Sequence, residues 1–208
     1  MKVISDYKKP TMKVVPLFAI PFLVEEYPQS FDDELKYIRS LPINGTHSED
    51  SFVLDKPELK LIRDWIKDRI DFYIINIIGS TNKLFITQSW LTVNKKGESF
   101  PLHHHSNSVV SAVWYPYVKE DQSPIIFQSL DNPFGLQLKM KPGGPPIAGG
   151  SASFHVRSGN LIIFPSSVYH SVDPNPIDDV RISLSLNTWT NEEVGYREFH
   201  SSNANYLS

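Results

Sequence analysis

The sequence predicts a mainly β fold with helices gathered on its N-terminal side. Three observations carry that reading. Apolar residues recur at helical spacing only before residue 80, and the segments after Leu84 are short and rich in Val, Ile, Phe, Trp and Thr. Gly, Pro, Asn and Asp punctuate the gaps between those segments, as in an antiparallel sandwich or barrel. The 208 residues suit a single domain over 1–208, with a helical flank over about 14–80, a β core over about 84–190 and a tail over 191–208.

Taken in order, Ser30 is placed to cap a short helix, with Asp32 and Asp33 in its positive first turn and Phe31, Leu35 and Ile38 on one face. A longer helix is predicted from Asp55, which forms a capping-box pattern with Glu58 while Pro57 sits in the first turn. Its apolar positions Leu59, Ile62, Ile66, Ile70, Tyr73, Ile74 and Ile77 form one stripe, and Gly79 is its stop signal. Such a helix packs along the outside of a sheet. Strands are predicted over 84–94, 108–118, 124–128, 136–140, 153–157, 160–164 and 180–189. Four glycines and three prolines over 141–152 exclude a strand interior and suit a loop over a site.

Composition narrows the chemistry. The chain has no cysteine, which removes thiol nucleophiles, redox dithiols, iron–sulfur clusters and Cys-ligated zinc. Twenty basic against 23 acidic residues give a formal charge of −3, so no basic excess points to nucleic acid or anionic lipid. The apolar stretch over 14–24 contains Pro16 and Pro21, is too short to span a bilayer and lacks a small-residue cleavage site. A soluble, cytoplasmic protein is the expectation. No hydrolase elbow, Walker loop or dinucleotide fingerprint is present.

The seven histidines are His47, His103, His104, His105, His155, His170 and His200. If the triplet enters the strand that follows, His103 and His105 share one face and can converge on one metal, with His104 on the other face. His170, just after the apolar run ending at Pro165, is the best third ligand. Imidazole suits iron, zinc, copper or nickel. On the strand over 180–189, Arg181, Ser183, Ser185 and Asn187 share one face and Ile182, Leu184 and Leu186 the other. A guanidinium there can clamp a carboxylate bidentately, with the Ser183 hydroxyl adding a hydrogen bond. A metal beside a carboxylate clamp suggests an oxo-acid cosubstrate.

Other positions have plainer expectations. His104 reads as a surface or supporting residue, His155 as structural or pocket-lining, and His47 and His200 as solvated. Trp90 and Trp114 read as core or pocket wall, and Asn94 and Asn187 as cavity-facing contacts. Asp173 reads as a turn cap rather than a metal ligand.

Ser89-Trp90, Gly97, the run from His103 to Tyr115, the run from Gly159 to Val172 and the run from Arg181 to Asn187 together resemble the 2-oxoglutarate/Fe(II)-dependent oxygenases of bacteria and marine phages. These are prolyl-hydroxylase-like members of the double-stranded β-helix superfamily. The resemblance runs over about 16–190, and it implies a jelly-roll or cupin-like barrel with N-terminal buttressing helices. It implies His103, His105 and His170 as iron ligands, and Arg181 and Ser183 as holders of the distal carboxylate of 2-oxoglutarate with Tyr115 as a third contact. Fe(II), the cosubstrate 2-oxoglutarate and O2 are implied, with ascorbate as an accessory reductant. The implied reaction hydroxylates a small-molecule or peptide substrate and releases succinate and CO2. The chain departs from the superfamily's usual triad in having His105 where a carboxylate stands, as the resembled subfamily also does. A neutral ligand there leaves the metal one unit more positive. A homodimer is compatible with the sequence, and neither a nucleic acid nor a membrane is an expected partner. Two rivals are a three-histidine cupin-type dioxygenase that dispenses with 2-oxoglutarate and a non-catalytic metal-binding barrel.

Overall fold

The computed structural model describes residues 19–130, 139 and 150–195. Most of the expected strand over 136–140, most of the glycine- and proline-rich segment over 141–152, and His200 lie outside them.

After β1 (Leu23–Glu26) comes α1 (Asp32–Ser40), with Asp32, Asp33 and Glu34 in its first turn and Ile38 buried beneath it. Ser30 does not cap it: its hydroxyl bonds the Asp32 carboxylate at 2.7 Å, and Phe31 occupies the cap position. A small hairpin follows, β2 (Ile43–Asn44) with β3 (His47–Ser48). The long helix also starts differently from its expected capping box. Two short 3-10 turns, Val53–Asp55 and Pro57–Leu59, precede α2 (Lys60–Phe72), and no side chain caps its start. Lys56 between the turns is extended, as a residue before proline is biased to be. Tyr73–Ile78 continue α2 as a π-helical segment, and Gly79 ends it in the left-handed conformation at φ 77.

The remaining strands are β4 (Phe85–Asn94), β5 (Phe100–His103), β6 (Val110–Tyr117), β7 (Ile125–Gln128), β8 (Ser151–Phe154), β9 (Asn160–Pro165), β10 (Tyr169–Val172) and β11 (Arg181–Trp189). They form a larger sheet in the order β1-β9-β6-β11-β4-β3-β2 and a smaller one in the order β5-β10-β7-β8, with antiparallel pairing between every named pair of strands. This is a mainly β, double-stranded β-helix architecture. The strand expected over 153–157 ends early because Arg157 and Asn160 close a turn. The Arg157 amide donates to Asn160 Oδ1 at 2.9 Å and the Asn160 amide to the Arg157 carbonyl at 3.1 Å.

Strand alternation then sorts the two faces of the larger sheet. Leu184, Leu186, Ala112, Trp114 and Ile163 pack outward against Ile62, Ile66, Ile70 and Tyr73 of the helical layer. Burying each such side chain contributes roughly 1.5–3 kcal/mol relative to exposure. Between the sheets lies a second apolar cluster of Val113, Ile125, Phe127, Ile162, Phe164 and Val168. That cluster closes part of the barrel interior, and the polar residues of β4 and β11 are left facing the rest. No helix among the described residues is long and apolar enough to cross a membrane.

Candidate metal centre

His103 and His170 meet because β5 and β10 are neighbours, with these two residues directly opposite each other in the register. Their ring centroids are 4.2 Å apart. His103 is thus the last residue of its own strand rather than the entry to β6, so alternation along one strand is not what pairs it with His105. His105 lies in the turn between β5 and β6, which also holds Asn107 at φ 56. The His105 amide donates to the Ser166 carbonyl at 2.9 Å, and that bond swings the imidazole back toward the other two. One nitrogen from each of His103, His105 and His170 falls within 4.8 Å of the others, the spacing of ligands around one ion.

Each imidazole has its Nδ1 already engaged. His103 Nδ1 lies 2.8 Å from the Pro101 carbonyl, His170 Nδ1 lies 3.0 Å from the Val168 carbonyl, and His105 Nδ1 lies 2.6 Å from Asn187 Oδ1. All three acceptors are oxygens, so Nδ1 carries the proton and Nε2 keeps its lone pair free for a metal. Asn187 Oδ1 also accepts from Ser111 Oγ at 3.0 Å; Ser111 Oγ lies 2.8 Å from Ser166 Oγ, which in turn donates to Ser108 Oγ at 2.7 Å. Burial is the main reason the three imidazoles stay neutral. It holds His103 and His105 below the ordinary histidine value and pulls His170 down to about 3. A neutral imidazole is the form that coordinates.

Beyond the histidines the cavity runs inward between the sheets, bordered by Trp90, Thr92, Asn94, Tyr115, Arg181 and Ser183. The β4–β11 register builds this wall, setting Arg181 opposite Asn94, Ser183 opposite Thr92 and Ser185 opposite Trp90. Arg181 is 2% exposed and makes no ion pair among the described residues, and its Nε and Nη2 have no hydrogen-bond partner. Its guanidinium carbon sits 5.0 Å from the centroid of the Tyr115 ring. The Tyr115 hydroxyl, also fully buried, is unpartnered too, as are both polar atoms of the Asn94 side chain. Burial pushes the Tyr115 phenol up, opposed by the Arg181 charge. A buried, unpaired guanidinium ringed by idle donors costs several kcal/mol unless an anion joins it. The donor set matches a carboxylate.

Residues 88–187 match the family model described as "Putative 2OG-Fe(II) oxygenase". Over those residues the chain is similar to the 2OG-Fe(II) oxygenases. Fe(II) and 2-oxoglutarate are the cofactors of that family, and the chain offers both a three-imidazole group and an inner guanidinium. Comparison with the curated protein sequences finds no match. Solved structures agree on the fold. An oxidoreductase of the 2OG-Fe(II) oxygenase family from Burkholderia pseudomallei is 15% identical, with a TM-score of 0.56 over 80% of this chain and 83% of its own. HygX from Streptomyces hygroscopicus, solved with nickel and 2-oxoglutarate bound, is 12% identical, with a TM-score of 0.57 over 82% of this chain and 83% of its own. The carbocyclase SnoK from nogalamycin biosynthesis is 14% identical, with a TM-score of 0.56 over 83% and 81%.

Of the residues expected at the site, His103, His105, His170, Arg181, Ser183 and Tyr115 all border one cavity. His104 is exposed, with its ring 4.8 Å from that of Tyr169. His155 is exposed rather than pocket-lining, because the strand it was assigned to ends at Phe154. His47 is half-buried against Phe100 rather than solvated, since β3 pairs with β4 and brings it to the mouth of the site. Trp114 is core, whereas Trp90 lines the cavity and stacks on His105 at 5.7 Å. Sequence reasoning missed Thr92, whose alternation with Trp90 and Asn94 on β4 was the available signal. It also missed Ser111 and Ser166, which had none.

Proposed function

We propose that the protein is a dioxygenase that hydroxylates an organic substrate, with His103, His105 and His170 as its Fe(II) ligands. Arg181, Ser183 and Tyr115 hold the distal carboxylate of 2-oxoglutarate. The helical flank and the barrel work as one domain, with α2 bracing the sheet that carries Arg181. The observation that carries this reading is the buried, unpaired Arg181 at the inner end of the cavity whose outer end is the three-histidine cluster.

When bound, Fe(II) supplies O2 activation coupled to oxidative decarboxylation of 2-oxoglutarate to succinate and CO2. The chain's own residues hold the reactants in place. Arg181 supplies a charge-assisted fork, Ser183 and Tyr115 supply hydroxyl donors, and their burial strengthens each bond by excluding water. The carbonyls of Pro101 and Val168 and the Asn187 amide hold the imidazole rings in the coordinating tautomer. Phe127 and Phe164 pack near His170 and keep the rear of the site dry.

The test is succinate release from 2-oxoglutarate by purified protein with Fe(II), O2 and ascorbate, alongside the His170→Ala and Arg181→Ala variants. The proposal expects release from the wild type, none from His170→Ala and a raised KM for 2-oxoglutarate in Arg181→Ala. Metal-dependent O2 uptake that ignores 2-oxoglutarate would favour the three-histidine dioxygenase instead. Fe(II) binding with neither activity would favour a binding module.

A further inference from the structure

A second, wider cavity opens outside the histidines, walled by His47, Gln88, Trp90, Phe100, Ser106 and Asn187. It shares His103 and His105 with the inner cavity, so whatever enters it comes to rest against the outer side of the three-histidine cluster. Its lining is polar yet uncharged: no Asp, Glu, Lys or Arg stands among its described lining residues. A charged ligand there would lose hydration without gaining a counter-charge, which costs several kcal/mol. A wholly apolar ligand would strand the amide and imidazole groups of the wall without partners.

The donors available to a ligand can be named. Asn187 Oδ1 is already taken by His105 and Ser111, so its amide nitrogen is what Asn187 offers the cavity. His47 uses Nδ1 toward Thr46 Oγ1 at 3.1 Å and keeps Nε2 for the cavity. Gln88 is exposed at the rim and contributes both an amide donor and a carbonyl acceptor. Trp90 supplies an indole surface beside them, oriented by its stack on His105. Neutral amides and imidazole around an aromatic platform match a ring that has hydroxyls on its edge and C–H groups on its face.

We infer that this outer cavity binds the prime substrate and that the substrate is an uncharged, hydroxyl-rich ring compound, a neutral sugar or a sugar-like ring. The inference rests on the reading above that the three histidines hold the iron. Asn187 then serves twice, orienting His105 through its oxygen and the substrate through its nitrogen. The ring's hydroxyls take the amide donors of Asn187 and Gln88, and its C–H face lies on Trp90.

The experiment compares one ring at three charges. Full-length protein holding Fe(II) and 2-oxoglutarate is titrated without O2 by calorimetry and tryptophan fluorescence, using methyl glucopyranoside, its cationic amino-sugar counterpart and its anionic uronic-acid counterpart. N-acetylprolinamide, a neutral peptide-like ring without hydroxyls, is the fourth probe. The neutral glycoside is expected to bind about tenfold or more tightly than either charged sugar, equivalent to about 1.4 kcal/mol. Gln88→Glu is expected to shift the preference toward the amino sugar. A charged sugar binding as well as the neutral one, N-acetylprolinamide binding in preference, or no probe binding at all would each overturn the inference. The oxygenase reading fails by a different signal, the absence of 2-oxoglutarate binding and succinate release. The same titrations run on metal-free protein still decide the substrate class in that event.

Discussion

Asn187 is the position at which a small change should cost the metal without costing the fold. Its Oδ1 accepts from His105 Nδ1 at 2.6 Å and from Ser111 Oγ at 3.0 Å. In Asn187→Ala the His105 ring loses the acceptor that holds its tautomer and orientation, and removing such a partner typically lowers metal affinity 10- to 100-fold. That range corresponds to about 1.4–2.8 kcal/mol of binding free energy. Ser111 keeps its bond to Ser166 at 2.8 Å, so the fold loses the two hydrogen bonds to Asn187 Oδ1 and leaves the His105 N–H unpaired, at about 1–3 kcal/mol. Fe(II) affinity would be measured by competition with a chromophoric chelator, and stability of the metal-free protein by thermal unfolding. Ser111→Ala is the control: it removes the serine from the network, leaves the His105–Asn187 bond in place and should change Fe(II) affinity less than about twofold. Asn187→Asp, which restores an acceptor, should bind more tightly than Asn187→Ala. A folded Asn187→Ala protein whose Fe(II) affinity stays within about twofold of wild type would refute the reasoning.

Arg181→Met replaces an unpaired buried cation by an apolar chain of similar length. The metal-free protein should become no less stable while 2-oxoglutarate loses its stabilising effect, which in the wild type should reach about 2.7 kcal/mol at a hundredfold excess over Kd. Thermal unfolding with and without the cosubstrate reads both. The histidines predict an acid dependence of the metal-free fold. His170 is depressed to about 3 in the folded state and His103 and His105 are depressed as well, so the unfolded chain binds more protons below its own value near 6.5. Stability from these groups is therefore full above pH about 6.5 and declines as pH falls toward about 3, which chemical denaturation across that window measures. An unchanged midpoint from neutral pH to about 4 would contradict it. Ile66→Ala removes a fully buried contact between α2 and the sheet and should cost about 2–5 kcal/mol in urea unfolding. Its succinate activity at low temperature should persist, because Ile66 lines neither cavity.

The parts of this protein legible in its sequence are those set by local periodicity. The alternation along β11 sends Arg181, Ser183 and Ser185 into the cavity and Ile182, Leu184 and Leu186 into the helical layer, as a period of two requires. The apolar stripe of α2 is equally plain, although its start is not. Capping depends on whether a side chain can reach a particular amide, and the extended Lys56 before Pro57 takes Asp55 out of reach. The short strands β1 and β10 were missed because Leu23–Glu26 and Tyr169–Val172 mix polar and charged residues into four positions, whereas the equally short β7 was legible from its apolar run Ile125–Phe127. β10 is held by its neighbours β5 and β7.

The site divides along the same line. Sequence alone determined that any metal here must be held by imidazole or carboxylate, since there is no thiol, and it marked out the three histidines and the buried arginine. Tertiary structure decided how they meet. His103 and His170 are cross-strand partners, and His105 is turned toward them by one backbone bond to Ser166. Whereas the Pro101 and Val168 carbonyls lie only two residues before the histidines they hold, the pairing register and the Asn187 acceptor of His105, 82 positions away, are long-range properties that no local pattern encodes. The same is true of the outer cavity, whose uncharged wall exists only once β3 brings His47 beside Phe100 and Trp90.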